Sequence, residues 1–139
     1  MQTQRENFAD AADIETILDM KRVAVVGLSS NPARDSHRVA RYLQQHGYDI
    51  TPINPTETEV LGAKSYSSLL DLPEPPEVID VFRRPEFVGE IVDQAIQVGA
   101  KAIWLQLDII DYEAARRARE AGLITVMDRC MMVEHGRRR

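Results

Sequence analysis

The chain has 139 residues, 44% of them hydrophobic and 28% charged, with a formal net charge of -5 and one cysteine. That length buries a core without disulfide or metal staples, and the acidic balance argues against nucleic acid or an anionic membrane surface as partner. The single cysteine excludes an intramolecular disulfide framework, no apolar run reaches bilayer length, and the polar start does not read as a signal peptide, so a single cytoplasmic domain over residues 1–139 is expected.

Residues 12–20 read as a leading helix, with Ile14, Ile17 and Leu18 at helical spacing. A buried strand follows over residues 22–27, then a polar turn, an amphipathic helix, and a second strand ending at Ile53. The pattern weakens between Pro55 and Pro76: residues 61–66 suggest a short edge strand, and Ser67 a cap for a brief helix through Leu70. Strands are expected at 78–82, 102–105 and 124–127. Pro85 suits the first turn of a helix running to about Val98, and Asp111 caps a helix that carries Ala114, Ala115 and Ala118. Gly47, Gly99 and Gly122 each stand between a helical pattern and an apolar run, which marks a helix stop. Residues 136–139 read as a solvated basic tail.

Short, continuous apolar strands alternating with helices predict an α/β fold, a Rossmann-like doubly wound parallel sheet in three layers with strand order 3-2-1-4-5-6. The order reverses between the loop after Gly27 and the loop after Phe82, and a ligand crevice belongs there. A dinucleotide dehydrogenase wants G-x-G-x-x-G in the first turn and an acidic residue at the end of the second strand. The turn here keeps only Gly27 of that fingerprint, and Asn54-Pro55 stands where the acid would be, so NAD is disfavoured. Arg34 and Arg38 flank the first loop while Arg83 and Arg84 follow the fourth strand. Four arginines around one crevice suit an anionic ligand; each also reads as an ordinary surface ion-pair partner.

The segments AVVGLSSNPARDSHRVARYLQQHGY, TPINP, EVLGAKSYSSL, DVFRRPE, GAKAIWLQL and MDRCMMVEH together resemble the small single-domain CoA-binding proteins, related to the CoA-binding domain of the succinyl-CoA synthetase alpha subunit. The resemblance spans about Val23 to His135 and implies coenzyme A, or an acyl-CoA, as the ligand. It places Gly27, Ser29 and Ser30 along the pyrophosphate, with Ser36, His37 and Arg38 opening the helix beneath. Asn54 and Pro55 fall by the adenosine end, Phe82, Arg83 and Arg84 beside the phosphates or adenine, and Gln106 against the pantetheine arm. The chain departs from the family pattern at Asp35, where proline is expected, at Asp108, where glycine is expected, and at Thr56 and Glu57, in a region where the synthetase carries a lysine.

No catalytic group is expected. Asp35, Ser36 and His37 are consecutive, so they do not converge as a triad, and Asp35 and Ser36 read as helix-cap residues. Cys130 has two readings: an inert thiol packed among Val126, Met127, Met131 and Met132, or the partner of a CoA thiol in a mixed disulfide. His37, His46 and His135 are scattered without ligand spacing, so no metal site is expected. Trp104 reads as core, and Asp80, Asp108 and Asp128 as supporting partners for arginines. A non-catalytic CoA-binding module is thus expected, with two alternatives from another class: an NAD(P)-dependent oxidoreductase, or a free-standing subunit of a CoA ligase. A homodimer is compatible with the sequence, and no surface patch for it is identifiable.

Overall fold

The computed structural model describes residues 7–138. In chain order its elements are α1 (Ala11–Leu18), β1 (Arg22–Val26), α2 (Asp35–Gln45), β2 (Asp49–Ile53), β3 (Glu59–Val60), β4 (Ala63–Lys64), β5 (Val78–Val81), α3 (Val88–Val98), β6 (Ala102–Leu105), α4 (Tyr112–Glu120), β7 (Ile124–Met127) and α5 (Met131–Gly136). Five strands make one parallel sheet in the order β2-β1-β5-β6-β7. This is the doubly wound, Rossmann-like arrangement, and the order reverses between β1 and β5 as expected. Asp111 caps α4 by accepting from the Ala114 N–H, and α3 stops at Gly99. Pro85 opens a 3-10 turn, Pro85–Phe87, that leads directly into α3.

The expected third strand is reduced to a single parallel bridge between Tyr66 and Ile53 at the free edge of β2. Leu61 and Gly62 both take positive φ (55° and 77°), which folds the preceding and following residues onto each other as the β3–β4 hairpin. Only Tyr66 then reaches β2, accepting from the Asn54 N–H at 2.8 Å and donating to the Pro52 carbonyl at 3.0 Å. The brief helix is a 3-10 turn, Leu69–Asp71, capped by Ser68 rather than Ser67.

Alternation along the strands divides the core into two layers. Ala24, Val26, Ile79, Val81, Ile103 and Leu105 face α3 and α4. Val23, Val25, Val78, Ala102, Trp104 and Val126 face α1, α2 and α5. Trp104 is fully buried, and its indole N–H donates to the Arg129 carbonyl at 2.8 Å. Arg138 is no solvated tail residue. It donates to Glu15 at 3.0 Å, to the Leu18 carbonyl at 3.3 Å and to Asp19, tying the end of α5 to α1. Arg139 lies outside the described residues.

Asp80 departs from its expected role as an arginine partner. Its register neighbours are Val25 and Trp104, so its carboxyl enters the layer beneath α1, α2 and α5. It is wholly buried, and neither oxygen has a hydrogen-bond partner among the described residues. Burial in that apolar layer raises its pKa well above the usual carboxylate range. No helix among the described residues is long and apolar enough to cross a membrane.

Candidate functional site

The site is built on the turn that follows β1. Gly27 has φ +88°, and its N–H donates to the Ile53 carbonyl at 2.8 Å. A Cβ at Gly27 would lie 2.4 Å from the Phe82 carbonyl oxygen, so the loops after β1 and β5 meet backbone to backbone. Beyond Gly27 the chain is held by its own side chains. The Ser29 N–H donates to Ser36 Oγ at 3.1 Å, the Asn31 N–H to Ser29 Oγ at 3.0 Å, and the Ala33 N–H to Asn31 Oδ1 at 3.0 Å. His37 Nδ1 lies 2.9 Å from the Ser29 carbonyl, which only accepts, so that nitrogen carries the proton. Asn54 donates to the Leu28 carbonyl at 3.0 Å and accepts from the backbone and hydroxyl of Thr56.

Ser36, His37 and Asn54 therefore shape the loop, and Ser36 and His37 engage the Ser29 backbone rather than one another. The helix-cap reading of Asp35 and Ser36 does not hold: Arg34 is the N-cap of α2 and makes no side-chain cap bond. The Asp35 carboxylate instead pairs with Arg38 one turn along. The Ser30 N–H donates to Glu57 Oε2 at 2.8 Å. That bond, with a second from the Ser30 hydroxyl, holds the Glu57 carboxyl below the usual range.

Three cavities adjoin along the carboxyl edge of the sheet. The first lies over the β1 turn, against Gly27, Ser29, Arg34, Ser36 and Phe82. The second, of about 460 Å³, runs from Asp35 and Phe82, which it shares with the first, past Arg38, Arg83 and Arg84 to Gln106 and Cys130. The third shares Arg83 with the second and is bounded by Val26, Ile53, Pro55, Ser67, Ser68 and the first face of α3. Eleven of the fourteen expected residues thus border one crevice; Ser30, His37 and Asn54 do not line it.

Residues 87, 90, 91 and 94 line the third cavity and went unread in the sequence, although their spacing is one helical face beginning four residues after Arg83. Leu107 and Ile109 line the second, and their signal was the apolar residues that alternate with Asp108 after Gln106. The arginines differ in state. Arg83 lies over the Phe87 ring at 4.3 Å, Arg84 approaches Glu86 at 4.0 Å, and Arg38 is paired with Asp35. The Arg34 guanidinium has no hydrogen bond or ion pair among the described residues.

The histidines do not converge on this crevice. His46 and His135 are brought together at the far end of α2, with ring centroids 5.0 Å apart and Tyr42 bonded to His135 Nδ1 at 2.9 Å. The expectation of three scattered histidines is corrected for that pair. Among the described residues no group of three His, Cys, Asp or Glu side chains is placed to hold a metal ion.

The CoA binding domain family matches residues 21–136. The chain belongs to that family. A Pyrococcus horikoshii protein of solved structure superposes with a TM-score of 0.90 at 47% identity, covering 99% of this chain and 98% of its own. The uncharacterized protein YneT of Bacillus subtilis is 40% identical over 125 residues, which is 89% of this chain and 93% of the relative. The alpha subunit of acetate–CoA ligase [ADP-forming] I of Pyrococcus furiosus is 28% identical over 96 residues, and the match spans 21% of that subunit.

Two of the departures from the CoA-binding pattern, Asp108 and Asp35, have a structural reading. Asp108 takes φ +66°, a backbone conformation that glycine enters without strain, and its N–H is held by Asp128 Oδ1 at 2.8 Å. Asp35, where the resemblance leads one to expect proline, brings a carboxylate to the wall shared by two cavities and is neutralised there by Arg38.

Proposed function

We propose that the chain binds coenzyme A, or an acyl-CoA, in this crevice and acts as a binding module without catalytic chemistry of its own. The observation that carries the reading is the continuity of three differently lined cavities across the point where the strand order reverses. The ligand has three matching parts. Its pyrophosphate suits the cavity over the Gly27 turn, which the unpaired Arg34 side chain borders. Its adenosine suits the cavity between Pro55 and Phe87, and its pantetheine arm suits the longer, largely apolar cavity that ends at Gln106 and Cys130. Family membership supports the same ligand.

Isothermal titration against CoA, dephospho-CoA, NAD and NADP tests the reading. CoA is expected to bind in the micromolar range, about -8 kcal/mol, and loss of the 3′-phosphate to weaken it. Preferential binding of NAD or NADP would transfer support to the oxidoreductase reading. Against that reading, the end of β2 offers Asn54, both ends of whose amide are engaged within the chain, and no carboxylate for a ribose. Similarity to the ligase alpha subunit favours a second reading, a separate component of a CoA ligase. Copurification with a larger ATP-binding partner would support it.

Glu57 yields a further expectation. Its carboxylate occupies the Ser30 N–H, at the edge of the loop assigned to the pyrophosphate, and adds negative charge where an anion must enter. Glu57→Gln is expected to tighten CoA binding severalfold at low salt, and the gain should shrink as salt screens the charge. A titration series at two ionic strengths measures it, and weaker binding by the variant would show that Glu57 supports the bound state instead.

A further inference from the structure

We infer that Cys130 is an acceptor site for the thiol end of the ligand, captured as a mixed disulfide by exchange with a CoA-containing disulfide. The inference rests on the CoA-binding reading of the crevice and adds a covalent fate for the bound molecule. Cys130 lies just beyond β7, separated from it by Asp128 and Arg129, and is the N-cap of α5, on the wall of the 460 Å³ cavity. Its residue surface is 9% exposed, so the thiol is shielded from bulk solvent and is approached through that cavity.

A second observation points to a ligand in the same place. Gln106 is 4% exposed and lines the same cavity. Its Oε1 accepts from the Met131 N–H at 3.0 Å, which fixes the carboxamide, while its Nε2 hydrogens have no partner among the described residues. Those hydrogens are free to meet a polar group that enters the cavity. An amide carbonyl on an otherwise aliphatic arm is a fitting partner, because Val39, Pro85, Ile109 and Met132 give this cavity apolar walls. The pantetheine arm has that composition, two amides in a flexible chain, and it ends in a thiol. With the phosphates at the Gly27 turn and the arm along this cavity, the sulfur-bearing end runs toward the Cys130 wall.

The step balances without another oxidant. The Cys130 thiolate attacks a sulfur of CoA disulfide, the existing S–S bond breaks, and a new bond joins Cys130 Sγ to one CoA sulfur. The second CoA leaves as a thiolate and takes up the proton that Cys130 gave up. A small dithiol reverses the exchange. The chain has one cysteine, so an adduct has one location.

The test is intact-mass kinetics of the reduced protein with CoA disulfide, and separately with glutathione disulfide, alongside titration of wild type and Cys130→Ser with reduced CoA. The expected result is a single CoA adduct on wild type that dithiothreitol removes. It should form about tenfold or more faster than the glutathione adduct, because binding positions the disulfide beside the thiol. The serine variant, which lacks the thiol, should form no adduct, and reduced wild type should bind reduced CoA. If CoA binds and no adduct forms, or if both disulfides react at the same rate, the covalent step is overturned and the binding reading stands. If neither protein binds CoA, the binding reading itself fails, and the inference with it. The rate comparison uses wild-type protein, so it stands whether or not the serine variant folds.

Discussion

Replacing Asp80 with asparagine is expected to remove a pH dependence from the stability of the fold. Asp80 lies between Val25 and Trp104 in the sheet, fully buried and without a hydrogen-bond partner among the described residues. Burial raises its folded pKa above the unfolded value, near 3.9 for aspartate. The folded state therefore keeps a proton that the unfolded chain releases. This group's stability is fully present below the unfolded pKa and falls as pH rises toward the folded one. The fall is about 1.4 kcal/mol per pH unit for as long as the folded carboxyl stays protonated. Asparagine has nearly the same shape and no such proton, so the stability of Asp80→Asn relative to wild type should grow as pH rises from about 4 toward the raised folded pKa. Urea melts of both proteins across that range measure it. A difference that stays constant with pH would show that Asp80 is ionised in the fold.

The second large effect is expected at Gly27. Alanine there meets two penalties at once: a left-handed φ of +88°, and a Cβ 2.4 Å from the Phe82 backbone oxygen, in a segment anchored beside β1 by the Phe82 N–H, which donates to the Val26 carbonyl at 2.9 Å. Gly47 provides the comparison. Its φ is +89°, but nothing lies within 4 Å of the Cβ it would carry. Gly47→Ala should cost about 1 kcal/mol, the conformational term alone, while Gly27→Ala should cost about 2–4 kcal/mol and spread the loops that face the crevice. Denaturant midpoints of the two variants, with CoA titration of each, separate the terms. Equal losses would mean that the contact between Gly27 and Phe82 is not tight in solution, and retained CoA affinity in Gly27→Ala would remove the turn from the site.

The strands and their order were legible because continuous apolar runs and helix-stopping glycines leave few topologies once crossovers must be right-handed. The crevice was legible for the same reason: the reversal of strand order brings Gly27 and Phe82 together whatever their side chains do. What the sequence hid lies in side-chain direction. Ser36 and His37 look like open first-turn groups, yet the Ser29 backbone takes both. The run Val-Ile-Asp-Val in β5 does not say which face Asp80 enters, because a strand buried on both sides has no polar face to contrast with it. The β3–β4 hairpin went unread because its turn uses Leu61, a residue that seldom adopts positive φ. Arg138 looked like tail because its partners, Glu15 and Asp19, are more than a hundred residues away in the chain.

The most direct test of the account is a titration of ¹⁵N-labelled protein with CoA, followed by amide shifts. The largest changes are expected on residues 27–36, on residues 82–84, and on Gln106 and Cys130. The depression at the opposite, amino edge of the sheet, formed by Arg22, Asp49 and the prolines at 73, 75 and 76, should stay unperturbed. Changes concentrated at that amino edge, or at the His46–His135 pair, would contradict it.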